Sequence, residues 1–211
     1  MSNFFTSSIG KKVIMSISGL FLILFLCVHL TVNLLLMVSP EAFNAGCEFM
    51  ALPFIKVIEP ILALGFVVHI VWASILTLQN QKARPQKYDV RNQSKNCTWS
   101  SRNMYILGGL VLAFLVLHIY NFWISFKFGH IEDHYDFVAS TLCDPIYAVI
   151  YIIAGILLGL HISHGFWSAF QSIGLSNEVW KKRLKCVAYF FAIVFAVGFS
   201  IIPIYFQIFG K

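Results

Sequence analysis

This 211-residue sequence has few charged residues: Asp, Glu, Lys and Arg make up only 11% of it, whereas 59% of the residues are hydrophobic. A soluble domain normally carries about 25% charged residues. The shortage of charge, together with 21 phenylalanines, excludes an ordinary water-soluble domain and favours lipid as the solvent for this chain.

Closely spaced cysteines are also missing. The five cysteines are scattered and form no C-x-x-C pair: Cys27, Cys47, Cys97, Cys143 and Cys186. This spacing excludes the usual zinc and c-type haem attachment motifs, and we interpret all five as packing residues. A cleavable signal peptide is not expected either, because the first apolar run of about 26 residues exceeds the apolar core of a signal peptide, which is about 7–15 residues.

Long apolar segments are abundant, and five of them reach the length of about 20 residues that a membrane-crossing helix needs. They are residues 13–38, 57–78, 104–126, 146–170 and 187–209. We therefore expect one all-α transmembrane domain over residues 1–211, built as a five-helix bundle. The second span is the weakest, since Glu59 and Pro60 fall in its predicted first turn, a position where proline is tolerated.

The distribution of charge predicts the orientation of these spans. Twelve of the 15 Lys and Arg residues lie in the N-terminal segment or in the loops 79–103 and 171–186, whereas seven of the nine acids lie on the opposite side. Because basic segments stay in the cytoplasm, we predict a cytoplasmic N-terminus and an external C-terminus. The net charge of +6 is then a topology signal, and nucleic-acid binding is not expected.

Histidines are the main candidates for function. Five of the seven fall inside predicted spans: His29, His69, His118, His161 and His164. An ionisable residue in a spanning helix costs free energy and indicates function. No acid lies deeper in a span than Glu59, which disfavours a proton-coupled transporter, whereas neutral imidazole is a good axial ligand for haem iron. The remaining two, His130 and His134, lie among acids in an outer loop, and we interpret them as solvated.

Counting residues predicts that two of these histidines share one depth. His29 is 17 residues from Lys12, and His118 is 16 residues from Arg102. At 1.5 Å per helical residue, both lie about 25 Å from the inner charges. This matching depth predicts one haem towards the outside, held by His29 and His118.

The other haem is predicted by elimination. His161 is 10 residues from Gln171 and therefore lies nearer the inside, whereas His69 is 13 residues from a basic residue on either side, so that its depth is undecided by counting. Elimination pairs His69 with His161. His164, three residues further on and nearly on the same face, competes with His161 as the ligand.

Glycines near the histidines of spans two and four fit either a flat cofactor or close helix packing. Gly65 and Gly165 each lie four residues from a histidine, and Gly155 and Gly159 form a small-xxx-small stripe. The sequence does not distinguish these two roles.

Two segments carry a resemblance to a known family. Ser8-Ile-Gly-Lys-Lys, Ser18-Gly-Leu-Phe and Val28-His29-Leu resemble its opening helix, and His161-Ile-Ser-His-Gly-Phe-Trp-Ser168 is similar to its motif of histidine, a glycine four residues later and an aromatic pair. With five spans, the whole chain resembles the di-haem cytochrome b membrane anchor of succinate dehydrogenase and fumarate reductase, in its single-chain form.

The resemblance implies two haem b groups with axial ligands on four helices. The implied pairs are His29 with His118 for the outer haem and His69 with His161 for the inner haem. It also implies that His161, and not His164, is the ligand. Ser16, thirteen residues before His29, is similar in position to a serine near the inner haem's propionates.

The function implied is that of the membrane anchor and electron-transfer subunit of succinate:quinone oxidoreductase, an enzyme linked to the tricarboxylic acid cycle in the bacterial cytoplasmic membrane. A flavoprotein subunit and an iron–sulfur subunit would dock on the cytoplasmic face, and the quinone, expected to be menaquinone, would exchange electrons with the haems. Glu59 is the candidate for proton exchange with quinone, although it also fits an interfacial residue facing water. Some family members carry a glutamate two residues before the fourth-span ligand; Gly159 stands there in this chain.

Three alternatives remain open at this stage. Another di-haem transmembrane cytochrome would be favoured by a sixth span. A haem-free transporter that uses histidines for protons or metal would be favoured by protein without a Soret band. A structural anchor that has lost its cofactors would still copurify with soluble subunits.

Overall fold

The structure is a computed structural model that describes residues 7–82 and 98–210. In chain order the helices are α1 (Ser8–Leu34), α2 (Pro40–Met50), α3 (Pro53–Lys82), α4 (Trp99–Arg102), α5 (Met104–His118), α6 (Ser125–Phe128), α7 (His134–Cys143), α8 (Pro145–Ser172) and α9 (Glu178–Phe209). A 3₁₀ turn at Leu35–Met37 extends α1, and a π-helical segment at Ile119–Ile124 joins α5 to α6. Within the described ranges there is no strand.

Five of these helical stretches are long and apolar enough to cross a membrane, which confirms the predicted all-α, five-helix architecture. They cover Ile9–Met37, Pro53–Lys82, Met104–Phe128, Pro145–Ser172 and Glu178–Phe209. We call the end of the bundle at which α1 begins the basic end, since Lys11, Lys12 and the basic residues 181–185 lie there, and the other end the acidic end. The cytoplasmic location of the basic end and the single-domain assignment of residues 1–211 stay predictions.

Polar caps fix where the long helices begin. The Ser7 hydroxyl accepts a hydrogen bond from the Gly10 N–H at the start of α1. Asp144 accepts from the backbone of Ile146 at the start of α8, and the fixed φ of Pro145 suits the first helical position. These side chains satisfy N–H groups that have no partner inside the helix.

The second span differs from the prediction at its first turn. α3 begins at Pro53, four residues before the predicted start, so Pro60 lies inside the helix instead of in its first turn. The earlier start has a local cause, since Pro53 itself occupies the opening turn, where a missing N–H costs nothing. Glu59 therefore lies in the second turn of α3.

Two short helices that the sequence pattern did not predict cover the acidic end. Phe43 of α2 and Val138 and Leu142 of α7 are buried in one cluster with residues of the long helices. His134 is the first residue of α7, and its ring lies 4.8 Å from that of Phe126. The side chain of His134 is half-buried and therefore only partly solvated, whereas His130 is exposed as expected.

The small-xxx-small stripe of α8 serves helix packing. A Cβ added at Gly159 would lie 2.7 Å from the backbone oxygen of Ala192, and one at Gly155 would lie 2.8 Å from Ser200 Oγ, both on α9. The two helices therefore approach too closely at Gly159 for any larger residue. A glutamate at this position, as in some members of the resembling family, has no room here.

The other two predicted glycines also contact side chains that are not histidines. A Cβ at Gly65 would meet the ring of Phe21 at 3.1 Å, and one at Gly165 would meet the Cε of Met104 at 3.3 Å. The cysteines outside 83–97 are free and half-buried except for Cys186, which is exposed. Cys97 lies outside the described residues.

Candidate functional site

Two of the predicted ligands face each other across the bundle towards the acidic end. His29 of α1 and His118, the last residue of α5, have ring centroids 5.6 Å apart and perpendicular ring planes. A metal–imidazole bond is about 2.0–2.1 Å, so two imidazoles on one metal have centroids about 6 Å apart once about 1 Å per ring is added. We call His29 and His118 the outer pair. Its spacing fits a bis-imidazole ligand set.

The other two predicted ligands form a second, separate pair. His69 of α3 and His161 of α8 have ring centroids 6.4 Å apart, with an angle of 75° between the rings. All four imidazoles are half-buried. We call His69 and His161 the inner pair. Its spacing also fits two ligands of one metal, and four different helices supply the four rings.

The helices themselves give the separation of the two pairs. On α1, Gly19 packs at the His69 ring and lies ten residues before His29. On α5, Gly108 packs at the His161 ring and lies ten residues before His118. At 1.5 Å per residue, both helices place the pairs about 15 Å apart along the bundle.

Gly19 and Gly108 are functional candidates that the sequence reasoning missed. A Cβ at Gly19 would lie 3.1 Å from Cε1 and 3.3 Å from Nδ1 of His69, and a Cβ at Gly108 would lie 3.4 Å from Cε1 of His161. Each glycine thus lets an imidazole lie directly on the backbone of a neighbouring helix. The repeated ten-residue spacing before His29 and His118 was the signal that could have found them.

The side of each inner-pair ring that carries Nδ1 is turned towards the protein. Nδ1 of His69 lies 3.3 Å from the backbone oxygen of Met15, and the Nδ1 edge of His161 lies against Gly108 without a hydrogen-bond partner among residues 7–82 and 98–210. An Nδ1–H donated to a backbone carbonyl fixes the tautomer in which Nε2 is free to bind metal. This contact leaves Nε2 of His69 free to bind a metal, whereas His161 is held by its packing against Gly108.

The outer pair has side-chain partners that the sequence reasoning also missed. Nδ1 of His118 lies 3.4 Å from the hydroxyl of Tyr151 on α8, and the Asn121 amide donates to that hydroxyl at 3.5 Å. The Asn33 amide donates to the backbone carbonyl of His29 at 2.8 Å, and the same nitrogen lies 3.4 Å from His29 Nε2. For His29 Nε2 to bind a metal, the Asn33 amide must keep its hydrogen bond to the His29 backbone carbonyl and leave Nε2 free.

Aromatic rings surround both imidazoles of the outer pair. Phe25 is stacked on His29 with a centroid separation of 5.2 Å, and Phe199 lies 5.9 Å from the same ring. Phe114 and Phe122 lie 5.7 Å and 5.5 Å from His118. This apolar lining suits a large, flat, hydrophobic cofactor and excludes water from the ligands.

Ser16 is buried and has an unsatisfied hydroxyl. The residue is only 2% exposed, and its Oγ has no hydrogen-bond partner within the described residues. A buried hydroxyl without a partner costs free energy and calls for an explanation. The arrangement is compatible with the predicted contact to a haem propionate, which stays a prediction.

His164 is not paired with another histidine. Its ring lies 5.1 Å from Trp167 at nearly a right angle, and its Nδ1 is buried without a hydrogen-bond partner among the residues described. Lys185 places its Nζ 5.0 Å from the same tryptophan ring. His161, and not His164, is thus the α8 histidine that faces His69.

Glu59 lies near the acidic end, away from the outer pair. Its carboxylate forms an ion pair with Lys127 at 2.6 Å, and the two side chains are 35% and 40% exposed. Lys127 follows His118 by nine residues, which corresponds to about 13 Å of helix. The predicted role in quinone protonation is untested, and the ion pair fits the alternative of an interfacial residue.

The paired histidines offer few protein ligands for a bare metal ion. No group of three or more His, Cys, Asp or Glu side chains converges on a metal position in the parts of the chain that the structure describes. A bare zinc or iron site needs at least three protein ligands, whereas a porphyrin supplies four nitrogens and leaves two axial positions for imidazole. Two isolated histidine pairs therefore fit haem better than they fit a metal ion alone.

Comparison with known proteins adds no further constraint. No protein-family model, curated protein or solved structure matches this chain. The functional assignment therefore depends on the residues and on their geometry.

Proposed function

We propose that this chain is the membrane anchor and electron-transfer subunit of a succinate:quinone oxidoreductase and that it holds two b-type haems. The observation that carries the proposal is the pair of short centroid distances, 5.6 Å for His29 and His118 and 6.4 Å for His69 and His161. Isolated packing histidines need one hydrogen-bond partner each and have no reason to face each other in two pairs.

The bound haems would supply reversible one-electron chemistry at two levels of the membrane. The chain's own residues would supply the ligand nitrogens: contacts at Nδ1 orient His69 and His118, and aromatic side chains surround the outer pair. The two pairs lie about 15 Å apart along the helices, with the inner pair nearer the basic end and the outer pair nearer the acidic end. Electrons can then pass between a partner at one end and a quinone at the other.

The basic end supports the proposed docking of an iron–sulfur subunit, with its flavoprotein subunit, on the cytoplasmic side. Lys181, Lys182, Arg183 and Lys185 lie in the first turns of α9, and Glu178 is the one acid in that helix. Such a cationic surface attracts an acidic protein face and anionic lipid headgroups. The loop 79–103 is the second predicted docking segment, and most of it lies outside the described residues.

A cavity at the acidic end supports a quinone site near the outer pair. It has a volume of about 450 Å³ and is lined by Asn121, Ser125, Ser140, Thr141 and Tyr147, among others. Quinone headgroups carry two carbonyl oxygens, which accept hydrogen bonds from hydroxyl and amide donors of this kind. Asn121 also bonds to Tyr151, so this cavity is one side chain removed from the outer pair.

Haem quantitation on the protein purified from membranes of haem-competent cells tests the proposal. We expect two haem b per chain, loss of one haem in His118→Ala, and loss of the other in His161→Ala. His164→Ala is the matched control for His161→Ala, and it should retain both haems. Fewer than two haems in a well-folded wild-type preparation, or loss of the same haem from both ligand variants, would contradict the proposal.

A further inference from the structure

We propose that Tyr151 is a positioning residue of the outer pair that lowers the reduction potential of the haem bound there. The inference rests on the proposed function, because it assumes haem on His29 and His118. It assigns a role to a residue outside the ligand set, on a helix whose own histidine belongs to the inner pair.

Tyr151 is held in place by rings and by one amide. Its ring packs edge-on to Phe114 at 4.9 Å and to Phe122 at 5.8 Å. Asn121, in the π-helical segment that follows His118, donates to the phenol oxygen at 3.5 Å. Single π-helical turns inside α-helices are frequent at functional sites, and this one lies directly after a predicted ligand.

The contact to His118 is the one through which Tyr151 acts. With a metal on Nε2, Nδ1 keeps its proton and donates it to the phenol oxygen, 3.4 Å away. The phenol oxygen has two lone pairs, so it can accept from His118 and from Asn121 together. Both distances are long for hydrogen bonds, and we therefore expect a modest effect.

The two pairs differ in the groups that bond to Nδ1 of their histidines. In the described part of the chain, the one side-chain hydroxyl that bonds to any of the four paired imidazoles is that of Tyr151, at His118. In that same part of the chain, Nδ1 of His69 contacts the backbone oxygen of Met15, and Nδ1 of His161 has no partner. Deleting the Tyr151 hydroxyl therefore perturbs one pair and leaves the other unchanged.

The sign of the effect follows from charge. Reduction of the bound iron adds one electron and removes one positive charge there, while the Nδ1 proton stays on His118 and no covalent bond forms or breaks. An acceptor at Nδ1–H makes the imidazole a stronger electron donor and stabilises the more positive, ferric state. Removing this acceptor raises the reduction potential.

A redox titration of Tyr151→Phe in the intact, purified complex tests the inference. The substitution keeps the ring contacts and deletes only the hydroxyl. We expect both haems to remain and the outer haem, identified as the one missing from His118→Ala, to become about threefold to tenfold easier to reduce. For a one-electron couple this corresponds to an upward shift of about 30–60 mV. The inner haem's potential should not change.

Two further variants keep the inference falsifiable. Tyr189→Phe makes the same chemical change at an exposed position of α9 and should shift neither potential. Asn121→Leu releases the phenol and should shift the outer haem in the same direction by less. An unchanged outer potential in Tyr151→Phe, an equal shift of both haems, or loss of the outer haem from this variant would overturn the inference. A wild-type protein without two haems would overturn the proposed function instead.

Discussion

The contact between Gly19 and His69 offers the sharpest test of the inner pair, because a single added methyl group reaches the ring. In Gly19→Ala the new Cβ would lie 3.1 Å from His69 Cε1 and 3.3 Å from Nδ1. The optimal separation of two non-bonded carbons is about 3.5–4.0 Å. The imidazole must therefore move by about 0.4 Å or more.

This displacement is close to the limit for a metal ligand. Ligand groups must be held within about 0.5 Å of their productive position, and moving the ring away from Gly19 also disturbs the contact between Nδ1 and the Met15 oxygen, which is 3.3 Å. Overpacking of this kind costs about 1–3 kcal/mol. If this cost falls on cofactor binding, affinity for the inner haem decreases by about fivefold to more than a hundredfold, at about 1.4 kcal/mol per tenfold change.

Gly109→Ala is the matched control, since a Cβ at Gly109 has no neighbour within 4 Å. Replacing glycine with alanine inside a helix otherwise stabilises it by up to about 1 kcal/mol. Haem per chain and reduced-minus-oxidised spectra should show loss of the inner haem from Gly19→Ala and two normal haems in Gly109→Ala. Two haems with unchanged spectra in Gly19→Ala, or haem loss from the control, would refute the reasoning.

Three further predictions concern the acidic end of the bundle and the packing of α8 on α9. Glu59→Gln breaks the partly exposed ion pair with Lys127 and should lower the free energy of unfolding by no more than about 1 kcal/mol, and unchanged quinone turnover in this variant would remove Glu59 from the quinone site. Gly159→Ala places a Cβ 2.7 Å from a backbone oxygen of α9 and should destabilise the bundle by about 1–3 kcal/mol. The destabilisation should be measured as a lower Tm in detergent, and an unchanged Tm would contradict the close packing of α8 and α9. The N–H of Asp136, with other donors, lowers the pKa of Asp133 below its ordinary value of 3.8, so the carboxylate stabilises the fold above pH 3.8 and this contribution is lost as the pH falls through the lowered pKa. The Tm difference between wild type and Asp133→Ala should therefore narrow below pH 3.8. A Tm difference that does not change with pH would contradict a contribution from the charged carboxylate.

The spans were predictable because the length of an apolar run is a local property of the sequence. The boundaries and the two short helices were not, since α2 and α7 are only 11 and 10 residues long and mix polar with apolar residues. Their stability depends on Phe43, Val138 and Leu142 being buried in one cluster. That cluster depends on contacts between segments far apart in the sequence, which an apolar pattern does not specify.

Depth predicted the outer pair, whereas His69 and His161 were paired by elimination, and the rings face each other in these two pairs. Counting residues gives a position along the helix axis, but it gives no rotation about that axis. Gly65 was therefore considered for the cofactor although it meets Phe21, and Gly19, which meets His69, was overlooked. Tyr151 was overlooked for the same reason, since its approach to His118 depends on how α8 is rotated against α5.

The ten-residue spacing that recurs in the bundle explains how one helix can contact both histidine pairs. Gly19 and His29 on α1, and Gly108 and His118 on α5, are each ten residues apart, and Tyr151 precedes the inner-pair histidine of α8 by the same interval. Ten residues correspond to about 15 Å of rise and about 2.8 turns, so the two positions point about 80° apart around the helix. One helix can thus place a glycine or a ring at one level and a second contact at the next level, on neighbouring faces. A single packing histidine needs no such repetition, whereas two flat cofactors stacked along one bundle require each shared helix to meet both of them at a fixed interval.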